Sequence, residues 1–319
     1  MLHISDLHIK IPNGKVAFND AITSMTVNWT MDGASRLEVD VVDKDFKMLK
    51  NDYFELDTVY EWGTRDFLLS TISVRQGDGD FAVISLELFE SKCQQLKNNK
   101  NPGSFKATNG YQYAQNVAAK MNLTFVGERV KGDQQMIQVK AKNNRESVWQ
   151  VLQRTAQENQ YVCFIADNTL FFASPMYLLG RWGVDSKNYQ PKGESVARKF
   201  SYVPLEWPTP EKEKRFSLME MPKLQVAKDM PTSGSGSALV WRDNGYKLRA
   251  GMTCIVRGIS PQFNKPYLIT SVEYKVDEPE PVAIEFATVD KISNPDTRKL
   301  DEVEDDPPMI DVILVTEDD

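Results

Sequence analysis

One segment, residues 144–175, constrains the fold most, because it predicts a helix, a strand, a tight turn and a second strand in succession. Asn143 or Asn144 can cap the helix, and Glu146 then lies in the first turn, where the helix dipole favours a negative charge. The apolar stripe of this helix recurs at helical spacing and consists of Val148, Trp149, Val151, Leu152, Thr155 and Ala156. Asn159 can adopt the left-handed conformation that ends a helix.

The residues that follow predict a hairpin. Residues 161–166 are β-branched, aromatic and apolar, as in a buried strand. Asp167-Asn168 suits a two-residue turn, and residues 170–173 form the returning strand. A similar unit precedes it: Thr108 or Asn109 caps a helix that ends at Asn122, and residues 123–126 form a strand. Residues 107–175 therefore predict a small α/β domain.

Alternating patterns on both sides of this domain predict antiparallel β-structure. Between residues 16 and 90, apolar residues alternate with polar ones, and turn sequences interrupt them at short intervals. Alternation resumes at Ala238 and continues to Phe286. The interval 176–236 carries six prolines and a Ser-Gly tract, so it predicts edge strands and long loops.

The predicted fold is therefore α+β and mainly β, with two antiparallel barrel-like domains flanking the small α/β domain. The predicted limits are 1–95 for the first barrel-like domain, 96–175 for the α/β domain and 176–297 for the irregular segment with the second barrel-like domain. Residues 298–319 are strongly acidic and predict a solvated tail.

Composition excludes several classes of function. The formal net charge is −7, which argues against a chain that grips nucleic acid through its phosphates. The longest apolar run is too short to span a bilayer, and the N-terminus lacks the pattern of a secretory signal. The three cysteines, Cys93, Cys163 and Cys254, form no CxxC pair, so we expect buried thiols, with neither a metal nor another cofactor.

The N-terminal sequence HISDLHIK resembles the first block of the calcineurin-like metallophosphoesterases, in which Asp6 and His8 would bind one metal of a two-metal site. That chemistry needs further histidine ligands later in the chain. The sequence contains two histidines, His3 and His8, so the site cannot be completed. A metallophosphoesterase is therefore kept only as an alternative, beside a cell-wall carbohydrate-binding module to which the helix–strand units bear a loose likeness.

The chain resembles the hub proteins of bacteriophage tails and related contractile injection machines, of the late-control protein D type. The resemblance lies in segment 144–175, in NGYKLRAGMT at 244–253, in VRGI at 256–259 and in YLITSVEY at 267–274. Ala250 stands where this family commonly has proline. The order of barrel, small α/β domain and barrel is also that of the family.

This resemblance implies a structural, non-enzymatic protein of the virion, made in the host bacterial cytoplasm. It implies a homotrimer whose six similar barrels match a sixfold tail tube and adapt it to a threefold central spike. The implied neighbours are a tail tube or distal tail protein, the spike, and a baseplate wedge or tape-measure protein. DNA would pass through the lumen, and we expect an acidic wall that does not hold it.

Six tryptophans fall into two groups. Trp29, Trp62 and Trp149 lie on predicted buried faces. Trp182, Trp207 and Trp241 lie in or beside the irregular segment, and we predict that they form subunit contacts, where large aromatic residues are enriched.

Overall fold

The computed structural model describes residues 2–11, 14–16, 18–77, 81–105, 107–129, 146–183, 185–189, 198–208, 216–227 and 230–293. The strands of the first part are β1 (Leu7–Ile11), β2 (Gly14–Val16), β3 (Ile22–Thr30), β4 (Arg36–Lys44), β5 (Val59–Trp62), β6 (Arg65–Gln76) and β7 (Phe81–Glu90). The short helix α1 (Lys47–Lys50) lies between β4 and β5. Each of these strands pairs antiparallel with its neighbours, as the alternating sequence predicts.

The middle part is α/β. Its elements are α2 (Ser91–Asn98), α3 (Gly110–Lys120), β8 (Thr124–Gly127), α4 (Val148–Glu158), β9 (Val162–Ala166), β10 (Thr169–Ala173) and α5 (Pro175–Leu178). The last part contains β11 (Asp185–Tyr189), β12 (Arg198–Glu206), β13 (Phe216–Ser217), β14 (Lys223–Ala227), β15 (Met230–Val240), α6 (Arg242–Gly245), β16 (Thr253–Arg257), β17 (Pro266–Lys275), β18 (Val282–Ala287) and α7 (Val289–Ser293). The mainly β, α+β class predicted from sequence is confirmed.

Helix α4 begins later than predicted. Its N-cap is Ser147, whose Oγ accepts a hydrogen bond from Gln150 N at 3.2 Å, while Gln150 Oε1 accepts one from Ser147 N at 2.8 Å. This reciprocal capping box satisfies two backbone donors at once, which a cap at Asn143 or Asn144 could not do for this helix. Asn143 and Asn144 themselves lie outside the described residues. The left-handed residue after the helix is Gln160, with φ of 60°, whereas Asn159 has φ of −104°.

In the three-stranded sheet β8–β10–β9, strands β9 and β10 are buried on both faces. On one face, Cys163, Ile165, Leu170 and Phe172 pack against helices α2, α3 and α4. On the other face, Val162, Phe164, Phe171 and Ala173 join the large core shared by the barrel-like parts. The strands are therefore apolar at nearly every position, which explains why residues 161–173 read as continuous runs instead of alternating ones.

The last part of the chain closes into a barrel. Strands β12, β16, β17, β18 and β15 follow one another in the sheet, and the segment at β13 pairs with β12 on one side. The next residue after β13, Leu218, forms an isolated antiparallel bridge with Val240 of β15, which closes the ring of strands. Strand β12 runs parallel to both β16 and β13. The expectation of only edge strands and loops over 176–236 is therefore wrong for β12, which lies between two paired strands despite Pro204.

Two sets of five strands share one topology. The set β3–β7 is arranged as β3–β4–β7–β6 with β5 beyond β6, and the set β14–β18 is arranged as β14–β15–β18–β17 with β16 beyond β17. Both β6 and β17 shift register at the same place, between Leu69 and Thr71 and between Ile269 and Ser271. The chain thus contains an internal structural repeat in which β6 corresponds to β17 and β3 to β14.

Candidate functional site

The two repeats join edge to edge through one pair of strands. Strand β3 pairs antiparallel with β17, and Trp29 lies opposite Val272. The result is a continuous run of eight strands in the order β14–β15–β18–β17–β3–β4–β7–β6. We call the β3–β17 junction the seam, and the eight strands the eight-stranded run.

One face of the eight-stranded run is mainly polar, because successive strand residues point to opposite faces and most of the polar ones share this side. The opposite face packs into the core through residues such as Val27, Trp29, Val39, Leu86 and Val272. The polar face, as we name it, presents Ser24, Thr26 and Asn28 of β3, Glu38 and Asp40 of β4, Thr71 and Ser73 of β6, Ser85 and Glu87 of β7, Glu273 of β17 and Glu285 of β18. The half of it that lies over β3, β4, β7 and β6 forms a depression of about 220 Å³. That volume is below the roughly 300–1,000 Å³ of a typical small-molecule pocket, so the polar face is an extended surface.

The charges of the polar face are largely paired. Arg36 Nε lies 3.2 Å from Glu38 Oε1, and Arg36 Nη1 lies 3.5 Å from Glu87 Oε1. Arg75 Nη2 lies 3.3 Å from Asp40 Oδ2. Arg36 and Arg75 thus neutralise three of the five carboxylates named on the polar face, and the expected acidic lumen wall stays a prediction. The paired arginines are also poorly available to a phosphate, which needs unpaired cations.

The three tryptophans predicted as subunit contacts differ in environment. Trp182 is partly buried and stacks on Phe171 of its own chain, with ring centroids 5.2 Å apart and planes 19° apart. Trp207 is partly buried against the core, and its backbone N–H donates to Arg257 O at 3.0 Å. Trp241 leaves 50% of its surface exposed. A role in subunit contact stays a prediction for all three residues, and Trp241 offers the largest free surface of them.

Two residues of the N-terminal motif, His3 and Asp6, have structural partners. Asp6 Oδ2 accepts a hydrogen bond from His3 N at 2.7 Å and so caps the 3₁₀ helix Ile4–Asp6. The His3 side chain lies 2.7 Å from Asp277 Oδ1, and Ile4 N donates to Asp277 Oδ2 at 2.7 Å. These contacts tie the N-terminus to the turn between β17 and β18. Within the described ranges, no group of three or more His, Cys, Asp or Glu residues is placed to hold a metal ion.

A buried polar cluster lies where the three parts of the chain meet. Two guanidinium groups lie over the Trp29 ring, with Arg249 Cζ 4.8 Å and Arg65 Cζ 5.2 Å from its centroid. Arg65 Nε donates to Asp167 Oδ1 at 3.0 Å, which links β6 to the β9–β10 turn. Burial raises the pKa of Glu90 to about 8, and Arg65 opposes that rise. The cluster therefore connects the first repeat, the α/β part and the second repeat through charged groups.

The remaining chemistry-bearing groups are enclosed. Cys93, Cys163 and Cys254 are buried free thiols, and burial raises the pKa of each, which suppresses the reactive thiolate. In the part of the chain that the structure describes, no helix is both long enough and apolar enough to cross a membrane.

Comparison with known proteins gives matches of structure and none of sequence. No protein-family model and no curated protein matches the sequence. The structure is similar to the 43 kDa tail protein of prophage MuSo2 from Shewanella oneidensis, with a TM-score of 0.55 and 10% identity over 88% of this chain and 97% of that one. It is similar to the tail protein from Neisseria meningitidis MC58, with a TM-score of 0.53 and 10% identity over 88% and 95% of the two chains.

A third similar structure is the prophage tail protein gp18 from Listeria monocytogenes EGD-e, with a TM-score of 0.52 and 8% identity over 89% of this chain and 94% of that one. The matches extend over nearly the whole of each chain. At such low identity they establish a common fold. The chain thus has the fold of these prophage tail proteins, as its resemblance to tail hub proteins predicts.

Proposed function

We propose that this protein is the structural hub of a phage tail baseplate or of a related contractile assembly, and that it has no catalytic role. In this proposal, three copies form a ring that surrounds the tail lumen. The ring adapts a sixfold tail tube, or a distal tail protein, to a threefold central spike. A baseplate wedge or tape-measure protein would be a further neighbour, and the protein would reside in the virion after synthesis in the host bacterial cytoplasm.

The observation that carries this proposal is the internal repeat joined at the seam. One chain presents two similar β units side by side, held by pairing between β3 and β17. Three such chains would present six similar units, which is the number needed to meet a sixfold tube. The fold shared with prophage tail proteins supports the same proposal.

The polar face supports a lumen through which DNA passes without being held. Hydroxyl groups and neutralised charges dominate it, and its arginines lie beside carboxylates. A surface of this kind offers few free cations to neutralise DNA phosphates, and it is such neutralisation, with release of counterions, that drives DNA binding. We therefore propose that the polar face lines the lumen.

The solution mass of the purified chain tests the ring directly. Light scattering on a sizing column should give three protomers, and negative-stain images of the same fraction should show rings with a central hole. A monomeric mass at every concentration, unchanged when the cognate spike protein is added, would refute the proposed trimer. Mass measurement at high salt is a useful control, because a ring held by backbone pairing and apolar contacts should survive it.

A further inference from the structure

The internal repeat identifies the two ends of the eight-stranded run. Strand β6 is the counterpart of β17, and β14 is the counterpart of β3. The seam within the chain joins a strand of the β3 type to a strand of the β17 type. The ends of the run therefore carry one edge of each type, β14 at one end and β6 at the other.

Both edges lack a second neighbour in the described structure. Strand β14 pairs with β15 alone, and β6 pairs with β5 only through Arg65–Leu68, so residues 71–76 have β7 on one side and no strand on the other. Unpaired edges with apolar side chains are sites of strand addition. Val74 of β6 is 51% exposed, and Met221, two residues before β14, is 55% exposed.

Strand direction fixes how two copies can meet. Every neighbouring pair in the eight-stranded run is antiparallel, so the directions alternate across it. Because the number of strands is even, β14 and β6 run in opposite directions. A second copy related by rotation about an axis along the strands brings its β6 beside β14 in antiparallel orientation, with the polar faces continuous.

The repeat also supplies the register. When the pairings are traced through each repeat, Asn28 corresponds to Gln225. Asn28 lies opposite Arg36, Gln225 lies opposite Ser235, and Arg36 and Ser235 are themselves equivalent. On the other edge, Glu273 corresponds to Ser73, because both follow the equivalent register shifts. In the seam, Asn28 lies opposite Glu273.

We propose that β14 of one copy pairs antiparallel with β6 of a second copy of this chain, with Gln225 opposite Ser73. This pairing rests on the proposed ring and names the surface that closes it. The same register places Val226 opposite Ile72, Leu224 opposite Val74, and Lys223 opposite Arg75. The contact thus repeats between chains the seam that the structure contains within one chain.

The side chains in this register suit the contact at three of the four positions. Ile72, Val74, Leu224 and Val226 point to the core side, where their partial exposure in the single chain would be removed. Ser73 and Gln225 are exposed polar residues that replace the hydrogen-bonded pair Glu273 and Asn28. Lys223 and Arg75 are like charges, and the Arg75 guanidinium is drawn towards Asp40, 3.3 Å away.

Disulfide trapping tests the register. The double variant S73C/Q225C places one thiol on each edge, and directly opposite residues of an antiparallel pair have Cα atoms about 4.5–5.5 Å apart, within the range of a disulfide. Oxidation should give a covalent trimer on a non-reducing gel. The matched control is T71C/K223C, which uses the same strands and the same exposed face. Its cysteines would be four residues out of register, or about 13 Å apart, so it should give no covalent trimer.

The single variants exclude other contacts, and the native cysteines are buried and give little background. S73C alone or Q225C alone should remain monomeric on the gel. A covalent dimer from S73C alone would mean that two β6 strands pair with each other, which would overturn the proposal. Equal trapping of T71C/K223C would overturn the register.

Light scattering of the unmodified chain separates this inference from the proposed function. A trimeric mass without trapping in S73C/Q225C would overturn the β14–β6 pairing and leave the ring standing. A monomeric mass without trapping would overturn both.

Discussion

Asn28 Nδ2 donates a hydrogen bond to Glu273 Oε2, 3.0 Å away, across the seam between β3 and β17. The two residues lie in different repeats, and the strands that carry them belong to opposite ends of the chain. Beneath this polar pair, Trp29 and Val272 face each other in the core. The seam therefore has a hydrogen-bonded polar side and a closely packed apolar side.

Removing the Trp29 ring should strongly destabilise the chain. The ring is fully buried, and the guanidinium groups of Arg65 and Arg249 lie over it. W29A should lower the free energy of unfolding by about 3–5 kcal/mol, because it leaves a cavity and deprives two cations of their aromatic partner. W29F should cost less. Urea unfolding measures both changes, and a W29A variant within 1 kcal/mol of the parent would contradict this account.

Glu90 should make stability depend on pH. Burial raises its pKa from the ordinary carboxyl value of 4.5 to about 8 in the folded chain. Between these values the unfolded chain releases the proton and the folded chain keeps it, so stability falls as pH rises from 4.5 to 8. E90Q carries no such proton, so its free energy of unfolding should rise relative to that of the parent by about 3–4 kcal/mol between pH 5 and pH 8. Thermal unfolding at pH 5 and pH 8 checks this, and an equal difference at both pH values would exclude it.

The tryptophans of the irregular segment should separate folding from assembly. W182A should destabilise the monomer by about 1–3 kcal/mol, because its ring stacks on Phe171. W241A removes a half-exposed side chain and should change monomer stability by less than about 0.5 kcal/mol. If Trp241 forms a subunit contact, W241A should lower the trimer fraction in light scattering. An unchanged trimer would remove Trp241 from the interface.

Charge reversal on the polar face should create DNA binding. In D40K/E87K, two carboxylates that neutralise Arg75 and Arg36 are replaced by cations. We expect this variant to retard duplex DNA in a gel at low salt, with retention that falls steeply as salt rises. The parent should not retard it. Tight binding by the parent would contradict a lumen wall through which DNA passes freely.

Local features of the fold were predictable from sequence because their causes are local. Asn109 caps α3 by accepting from Gln112 N at 2.9 Å, and Asn122 has the left-handed φ of 53° that ends this helix. Asp167 and Asn168 both have positive φ, as a two-residue hairpin turn requires. Alternation likewise identified which side chains of β3 and β4 face the core. Each of these signals lies within a few residues of its effect.

The seam and the closure of the barrel could not be predicted in the same way. A period of two shows which residues face the core, but it does not show which strand is the neighbour. One signal was present and was missed. Residues 67–72 read FLLSTI and residues 267–272 read YLITSV, and these stretches occupy equivalent positions in β6 and β17. These six positions carry similar side chains, but so short a match does not by itself reveal a repeat.

The seam joins two unlike edges, and it therefore has no twofold axis. Any assembly that repeats this contact around a ring keeps all its subunits pointing the same way. Such a ring has two chemically different rims, so one rim can accept a tube while the other accepts a different neighbour. The two ends of the whole particle would then differ because each chain offers one outer edge of the β3 type and one of the β17 type.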